Sequence, residues 1–325
     1  MSDPKPVQLG LCCLNTVLRE QKPPVFSSRT LILKTLSNKG IDELKTRVIQ
    51  NLKDTIELIK WNESKGIRVL RLSSGMFPHK SNPKAEDYTY DFAKELLLEI
   101  GNTARKLNHR LTFHPGQYNV VGTPNEAAFK QTCVDLAYHA DVLDLMEMNN
   151  DSVMVVHGGG IYGDKEKTIE RWCERFPLLP KNVQKRLVLE NCEKCFSVED
   201  CLRISKRVNI PMVFDTHHYE CYNKLHPEYK AKPASEYIEE ILESWKRRGI
   251  KPKFHVSEQG TGRVGHHSDY IEVIPEYLLE IPDKYGVEID IMIEAKAKEQ
   301  TIFKLYEKYP QLNCKKRYKI KRADK

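Results

Sequence analysis

Eight apolar runs of strand length recur along this 325-residue chain, each set apart from the next by a longer segment with helical patterning. The runs fall at 7–14, 67–73, 110–114, 152–157, 186–190, 210–215, 252–257 and 287–294. Several are apolar on both faces, which suits parallel strands covered by helices. The intervening segments 42–65, 88–107, 126–146 and 235–248 carry apolar residues at i, i+3 and i+4, the helical period. Such alternation points to a parallel sheet with crossover helices, and eight units in about 310 residues predict a single TIM (β/α)8 barrel. An open doubly wound sheet is the structural alternative. No composition shift or repeat marks a second domain, so the barrel is expected over 1–310, followed by a short basic C-terminal tail over 311–325.

Charge excludes less than it first suggests. The net charge is +7, but the last eleven residues, KKRYKIKRADK, carry +6 of it, leaving the other 314 residues at about +1. The barrel is nearly neutral, and the tail reads as a solvated terminus able to touch phosphates without sequence preference. No run approaches the 18 apolar residues of a membrane span and the start MSDPKPVQ has no apolar signal core, so an intracellular, soluble protein without membrane contact is expected. Nine cysteines lack framework spacing, and the one close pair at metal-ligand spacing, Cys192 and Cys195, has no second pair to complete four metal ligands.

The polar residues at the strand ends carry the chemistry. Six consecutive units each place a metal-capable side chain at the same end of the sheet: His114, His157, Glu190, Asp215, His255 (within the run 252–257) and Glu294. In a parallel barrel these ends converge on one rim, where barrel active sites lie. Each alone reads more simply as a helix cap or a structural histidine. Aligned at one end of six strands, they read as a site. His217, His218, His266 and His267 join them, so that seven of eleven histidines sit on or just beyond these ends.

Gathering carboxylates and imidazoles in a buried place is costly without a cation. Imidazole favours Zn, Fe, Mn or Ni over Ca, and the carboxylate share keeps Mn plausible. Eight or more donors exceed what one ion can use, so two or three divalent ions are expected, with a carboxylate such as Glu190 bridging. Ions a few ångström apart suit in-line displacement at phosphorus, that is, phosphodiester hydrolysis. Neither GxSxG nor a P-loop occurs. A metal-dependent sugar isomerase or epimerase on the same barrel is the alternative enzyme, and a non-catalytic nucleic-acid binder acting through the basic tail is a third reading.

The motifs FHPGQYNVVGTP, VVHGGGIYGDK, LVLEN, VFDTHHY, GHHSDYI and IMIEAKAKEQ, in this order over residues 7–305, resemble the series of the UV damage endonuclease family, relatives of apurinic endonuclease IV. The resemblance implies a monomeric TIM-barrel nuclease that acts on damaged double-stranded DNA. It would cut the backbone immediately 5' to ultraviolet photoproducts, and often at abasic sites, to begin excision repair. It implies His114, His157 and Glu190 as ligands of one ion, and Glu190, Asp215, His255 and Glu294 as ligands of a second, with Glu190 bridging. His218 and His267 would hold a third. Mn is the first expectation, with Zn, Co or Mg as alternatives. Glu190 and Lys253 would be catalytic, Lys253 standing where family members can carry a carboxylated lysine, with an ordinary strand lysine as the alternative. Gln117 and Tyr118 match the pair that enters the duplex at the lesion. Leu11 and Gly75 depart from the pattern, which bears on the range of lesions and not on the metal ligands. The stretch 19–32 is expected to form a loop over the barrel mouth.

Overall fold

The structure, a computed structural model, describes residues 6–315. Its eight strands are β1 (Val7–Cys12), β2 (Val69–Arg71), β3 (Arg110–Thr112), β4 (Met154–His157), β5 (Leu187–Glu190), β6 (Met212–Asp215), β7 (Lys253–Val256) and β8 (Ile289–Ile293). Every paired neighbour is parallel, in the order β3-β2-β1-β8-β7-β6-β5-β4. A parallel bridge from Phe113 to Met154 joins the two ends of that order, so the sheet closes into the expected barrel. Each strand lies within the run that the sequence marks for it.

Alternation along the strands sorts side chains between the barrel interior and the helix layer. Cys12, Val69 and Met292 form a small cluster of their own, apart from the large apolar core. Gly10 lies among them, where an added Cβ would fall 2.9 Å from the Met292 methyl and 3.1 Å from Val69. The interior is that tight at its waist. Leu9 and Leu11 point the other way and join the large core. At the N-terminal end of the barrel, Arg110 and Lys251 close on the buried Asp290 at 2.7 and 2.8 Å. Burial would raise the Asp290 pKa, but the charges of Lys251 and Arg110 outweigh it, and the group is held below its usual range. At the opposite end the side chains of His114 and His157 stay partly exposed, so solvent reaches that end of the strands.

The helix expected over 42–65 runs from Ile41 to Lys65 and stops at Gly66, whose φ of 80° is the left-handed C-cap conformation that glycine adopts without strain. The expected 88–107 and 235–248 helices each begin as a 3-10 turn before becoming α-helical at Lys94 and Ile238. The barrel layer also continues past 310. Asn313 Nδ2 donates to Lys65 O at 3.3 Å and the Cys314 thiol to Gly66 O at 3.4 Å, with Leu312 and Cys314 buried. Residues 316–325, and with them most of the basic tail, lie outside the described residues. Among the described residues no helix is long and apolar enough to cross a membrane.

Remote from the open mouth, His109 is buried beside Glu63, and burial pushes its pKa down to about 4. The unfolded chain takes up a proton near the ordinary histidine value of about 6.5, whereas the folded chain resists it. Stability from this group is therefore complete above about pH 6.5 and is lost as pH falls toward about 4. Urea unfolding should show about 2 kcal/mol of loss from His109 between pH 7 and pH 5. His109→Gln should shrink the measured difference by about that amount, and an undiminished difference would assign the acid sensitivity elsewhere.

Candidate metal centre and its rim

Register assembles the site before any side-chain detail is considered. His157 on β4 pairs with Glu190 on β5, and Asp215 on β6 pairs with His255 on β7, so each pair shares a height on the barrel. Paired residues of parallel strands project to the same side, here the interior. Glu190 sits at the centre. Its Oε2 lies 2.9 Å from both His114 Nε2 and His157 Nε2, and its Oε1 lies 2.5 Å from His255 Nδ1. Glu294, the residue after β8, brings Oε1 to 3.3 Å from the same His255 nitrogen.

Asp215 caps the helix Thr216–Leu225, its Oδ1 accepting the His218 backbone N–H at 2.7 Å. That cap turns the His218 ring back over the mouth, with Nδ1 3.8 Å from Asp215 Oδ2 and 4.0 Å from Glu190 Oε1. His217, one residue earlier, instead places Nε2 3.4 Å from the Cys221 sulfur. Its neighbour in the pair beyond β7 behaves likewise: His267 Nδ1 lies 3.9 Å from Glu294 Oε2, whereas His266 is exposed and accepts from Arg263 at 3.0 Å.

Four buried polar atoms here lack a well-formed hydrogen bond: Asp215 Oδ2 and His255 Nε2 have no partner, while Glu190 Oε1 and His255 Nδ1 face each other at 2.5 Å without the directionality of one. Each such atom costs about 1–3 kcal/mol in a folded protein unless something satisfies it. A cation would satisfy all four. The donor atoms group accordingly into three sets, each within 4.8 Å: His114, Glu190 and His255; His157, Glu190 and His218; Asp215, His255 and Glu294. Glu190 and His255 each serve two sets. His267 stands next to these sets without belonging to one.

The electrostatics describe a cluster short of positive charge. Burial pushes Asp215 up to about 7, with Glu190 and Glu294 adding to the rise. Burial lowers His255 to about 4, and its neighbouring carboxylates do not restore it. Burial would also raise Glu190, but His255 and His157 more than offset it, and Glu190 is held well below its usual range. A divalent ion replaces protons in such a set with a fixed charge.

Lys253, two residues before His255 and on the same inward face, is fully buried and donates to Thr112 Oγ1 at 3.0 Å. Burial first, then the charges of Arg110 and Arg71, lower its pKa to about 7. Gln117 and Tyr118 lie in the turn after β3, outside the cluster and on its rim. Both are exposed, Tyr118 to 63%. The turn is held rigidly: Asn119 donates from its backbone to Gly116 O at 3.0 Å and from its side chain to Asp135 at 2.7 Å, and Tyr118 OH reaches the same carboxylate at 3.4 Å. An added Cβ on Gly116 would come within 2.4 Å of the Tyr118 ring, so only glycine lets the ring lie where it does.

Two neighbours escaped a reading restricted to histidines and acids. Arg71 ends β2 and contacts Glu294 Oε1 at 2.5 Å, and its Nε is buried without a partner. Period-two alternation from the inward Val69 would have placed it. Asn191 accepts from the Asp215 backbone N–H at 2.9 Å and donates to Asp215 O at 3.0 Å, locking the end of β6 to β5. Leu11 is fully buried toward the helices, so its side chain does not line the mouth. A Cβ added at Gly75 would meet Ser28 at 3.9 Å, in the 19–32 stretch, which is pinned to the helix Ile41–Lys65 by Arg29 on Asp54 at 2.6 Å.

The profile of the family described as UV-endonuclease UvdE matches residues 7–321. A provisionally named UV-damage endonuclease of Acanthamoeba polyphaga mimivirus is 41% identical over 308 residues, covering 93% of this chain and 91% of that protein. The UV-damage endonuclease of Schizosaccharomyces pombe is 38% identical over 312 residues, which span 93% of this chain but only 50% of the yeast protein. The crystal structure of SacUVDE superposes with a TM-score of 0.80 at 28% identity, covering 94% of this chain and all of that one.

Proposed function

The chain belongs to the UV-endonuclease UvdE family, and from that membership we propose that it is a DNA repair endonuclease that hydrolyses the phosphodiester immediately 5' to ultraviolet photoproducts, and at abasic sites. The observation that carries the metal reading is Glu190, buried between four imidazoles and shared by two donor sets. Two or three divalent ions, Mn first, would be held by His114, His157, Glu190, Asp215, His218, His255, His267 and Glu294. Bound there, they would supply an activated water and neutralise charge on the leaving oxygen.

The chain's own residues perform the remaining tasks. Glu190 orients the imidazoles of His114 and His157 toward a common point. Arg71 holds Glu294, and Asn191 holds the backbone of Asp215. Lys253 lies one layer beneath His255 on the inward face of β7, where carboxylation would add a further acidic group to the cluster. Gln117 and Tyr118 project from the rim, where an amide and an aromatic ring can occupy the space left by unstacked bases, and damaged steps unstack at lower cost. Damaged duplex DNA is thus the partner, bound by one copy of the chain, with the basic residues beyond 315 adding affinity for phosphates.

The test is direct. Metal-stripped protein, reloaded with Mn and incubated with an irradiated, end-labelled duplex, should leave a nick directly 5' to the photoproduct and none without metal. Absence of any nick with Mn, Mg, Co or Zn would overturn the proposal, and turnover of free sugars in its place would favour the isomerase alternative.

A further inference from the structure

The turn that follows Glu190 contains two thiols for which the metal chemistry has no use. Cys192 is buried, Cys195 is half-buried, and both are free. The chain is wrapped around the first sulfur: the backbone N–H groups of Cys195 and Phe196 donate to Cys192 Sγ at 3.3 and 3.2 Å, and Cys192 N donates to Phe196 O at 3.1 Å. With its backbone nitrogen 3.3 Å from that sulfur, Cys195 sets the second, half-buried thiol beside the first. A thiolate is the nucleophilic form of cysteine, and a partly exposed one is open to oxidants.

The same turn supports the cluster from two sides. Asn191 bonds both backbone groups of Asp215, and its carbonyl lies 3.1 Å from His218 Nδ1. On the other side, the Phe196 ring packs on Gly158, the residue after His157, so closely that an added Cβ would come within 2.4 Å of it. Moving the Cys192 sulfur therefore disturbs the seats of Asp215, His218 and His157 together. Closing a disulfide draws the two free sulfurs to about 2.0 Å with a torsion near about 90°, and as far as Cys192 Sγ follows it leaves the two N–H groups it now accepts from.

We propose that Cys192 and Cys195 form a thiol modification site, at which a peroxide closes a disulfide that loosens the Asn191 and Phe196 supports and lowers metal retention. The Cys195 thiolate attacks one peroxide oxygen, the O–O bond breaks, and a sulfenic acid and hydroxide result. The Cys192 sulfur then attacks the sulfenic sulfur, forming the S–S bond and expelling the second oxygen as hydroxide. The protons of the two thiols convert both hydroxides to water, and two electrons pass from sulfur to peroxide. The effect on metal rests on the proposed metal centre; formation of the disulfide does not.

The experiment treats the reduced full-length chain with hydrogen peroxide, removes the excess with catalase, maps the cysteine peptides by mass spectrometry and then loads Mn. The peptide joining Cys192 and Cys195 should lose two hydrogens, and Mn retention and nicking should fall about tenfold, in the range seen for lost outer-shell supports. A phosphine reductant should restore both. Cys195→Ser should nick like the parent and keep that activity through the treatment. The proposal is overturned if no two-hydrogen loss appears at this pair, if the disulfide forms with Mn retention and nicking unchanged, or if Cys195→Ser is inactivated equally. Should the untreated reduced chain neither hold Mn nor nick, the metal reading fails by itself, and the mass change still decides whether the pair is a modification site.

Discussion

Glu190→Gln should lower nicking of an irradiated duplex more than about 100-fold, because outer-shell partners alone are worth about 10- to 100-fold and Glu190 lies inside that shell. The substitution keeps the size of the side chain and removes its charge. With the charge go the close partners of His114, His157 and His255, at 2.9, 2.9 and 2.5 Å. Two of the three donor sets lose their carboxylate at once, so Mn per chain should fall alongside activity. The barrel should persist, since β5 keeps its apolar residues and its ladder to β4 and β6. Circular dichroism and cooperative urea unfolding close to the parent, with Mn content and nicking lost, is the expected pattern. Parent-like nicking by this variant would remove Glu190 from the chemistry.

The second large effect is expected at Tyr118, and it should appear in discrimination more than in turnover. Stacking of a base on an aromatic ring is worth about 1–3 kcal/mol, which corresponds to about 5- to 150-fold. Tyr118→Ala should reduce the ratio of nicking on irradiated over undamaged duplex by a factor within that range. Exposure of 63% means little folding energy depends on the ring. Tyr118→Phe, which loses only the 3.4 Å contact of the hydroxyl with Asp135, should keep most of the discrimination. Mn content should be unchanged in both, since the ring belongs to no donor set. An unaltered ratio in Tyr118→Ala would show that the lesion is sensed elsewhere on the rim.

Much of this architecture is legible before folding because a parallel barrel repeats one local rule eight times. Apolar runs buried on both faces announce the strands, and polar residues at the C-terminal end of a run are delivered to the rim by the direction of the chain. His114, His157, Glu190, Asp215, His255 and Glu294 could therefore be named together from their places in the sequence. Caps were less visible: the helix Ile41–Lys65 was readable from its apolar period, whereas its stop at Gly66 and the 3-10 starts at Asp91 and Ala234 emerged only in the structure. Arg71 escaped notice because its chemistry is not that of a ligand. Leu11 looked relevant to the mouth until strand alternation turned it toward the helices.

The order of apolar and polar residues determined by itself that eight parallel strands would alternate with crossover helices and send acids and imidazoles to one end, since strand period and crossover are local properties; that the sheet closes instead of lying open was decided by the Phe113–Met154 bridge. Which donor faces which was decided only in three dimensions. Whether His217 or His218 turns toward Glu190, whether Asn191 braces Asp215, and whether the Cys192 turn leans on Gly158 depend on register and helix capping between segments far apart in the chain. Distances of a few ångström between such segments are set by packing, which no single segment contains.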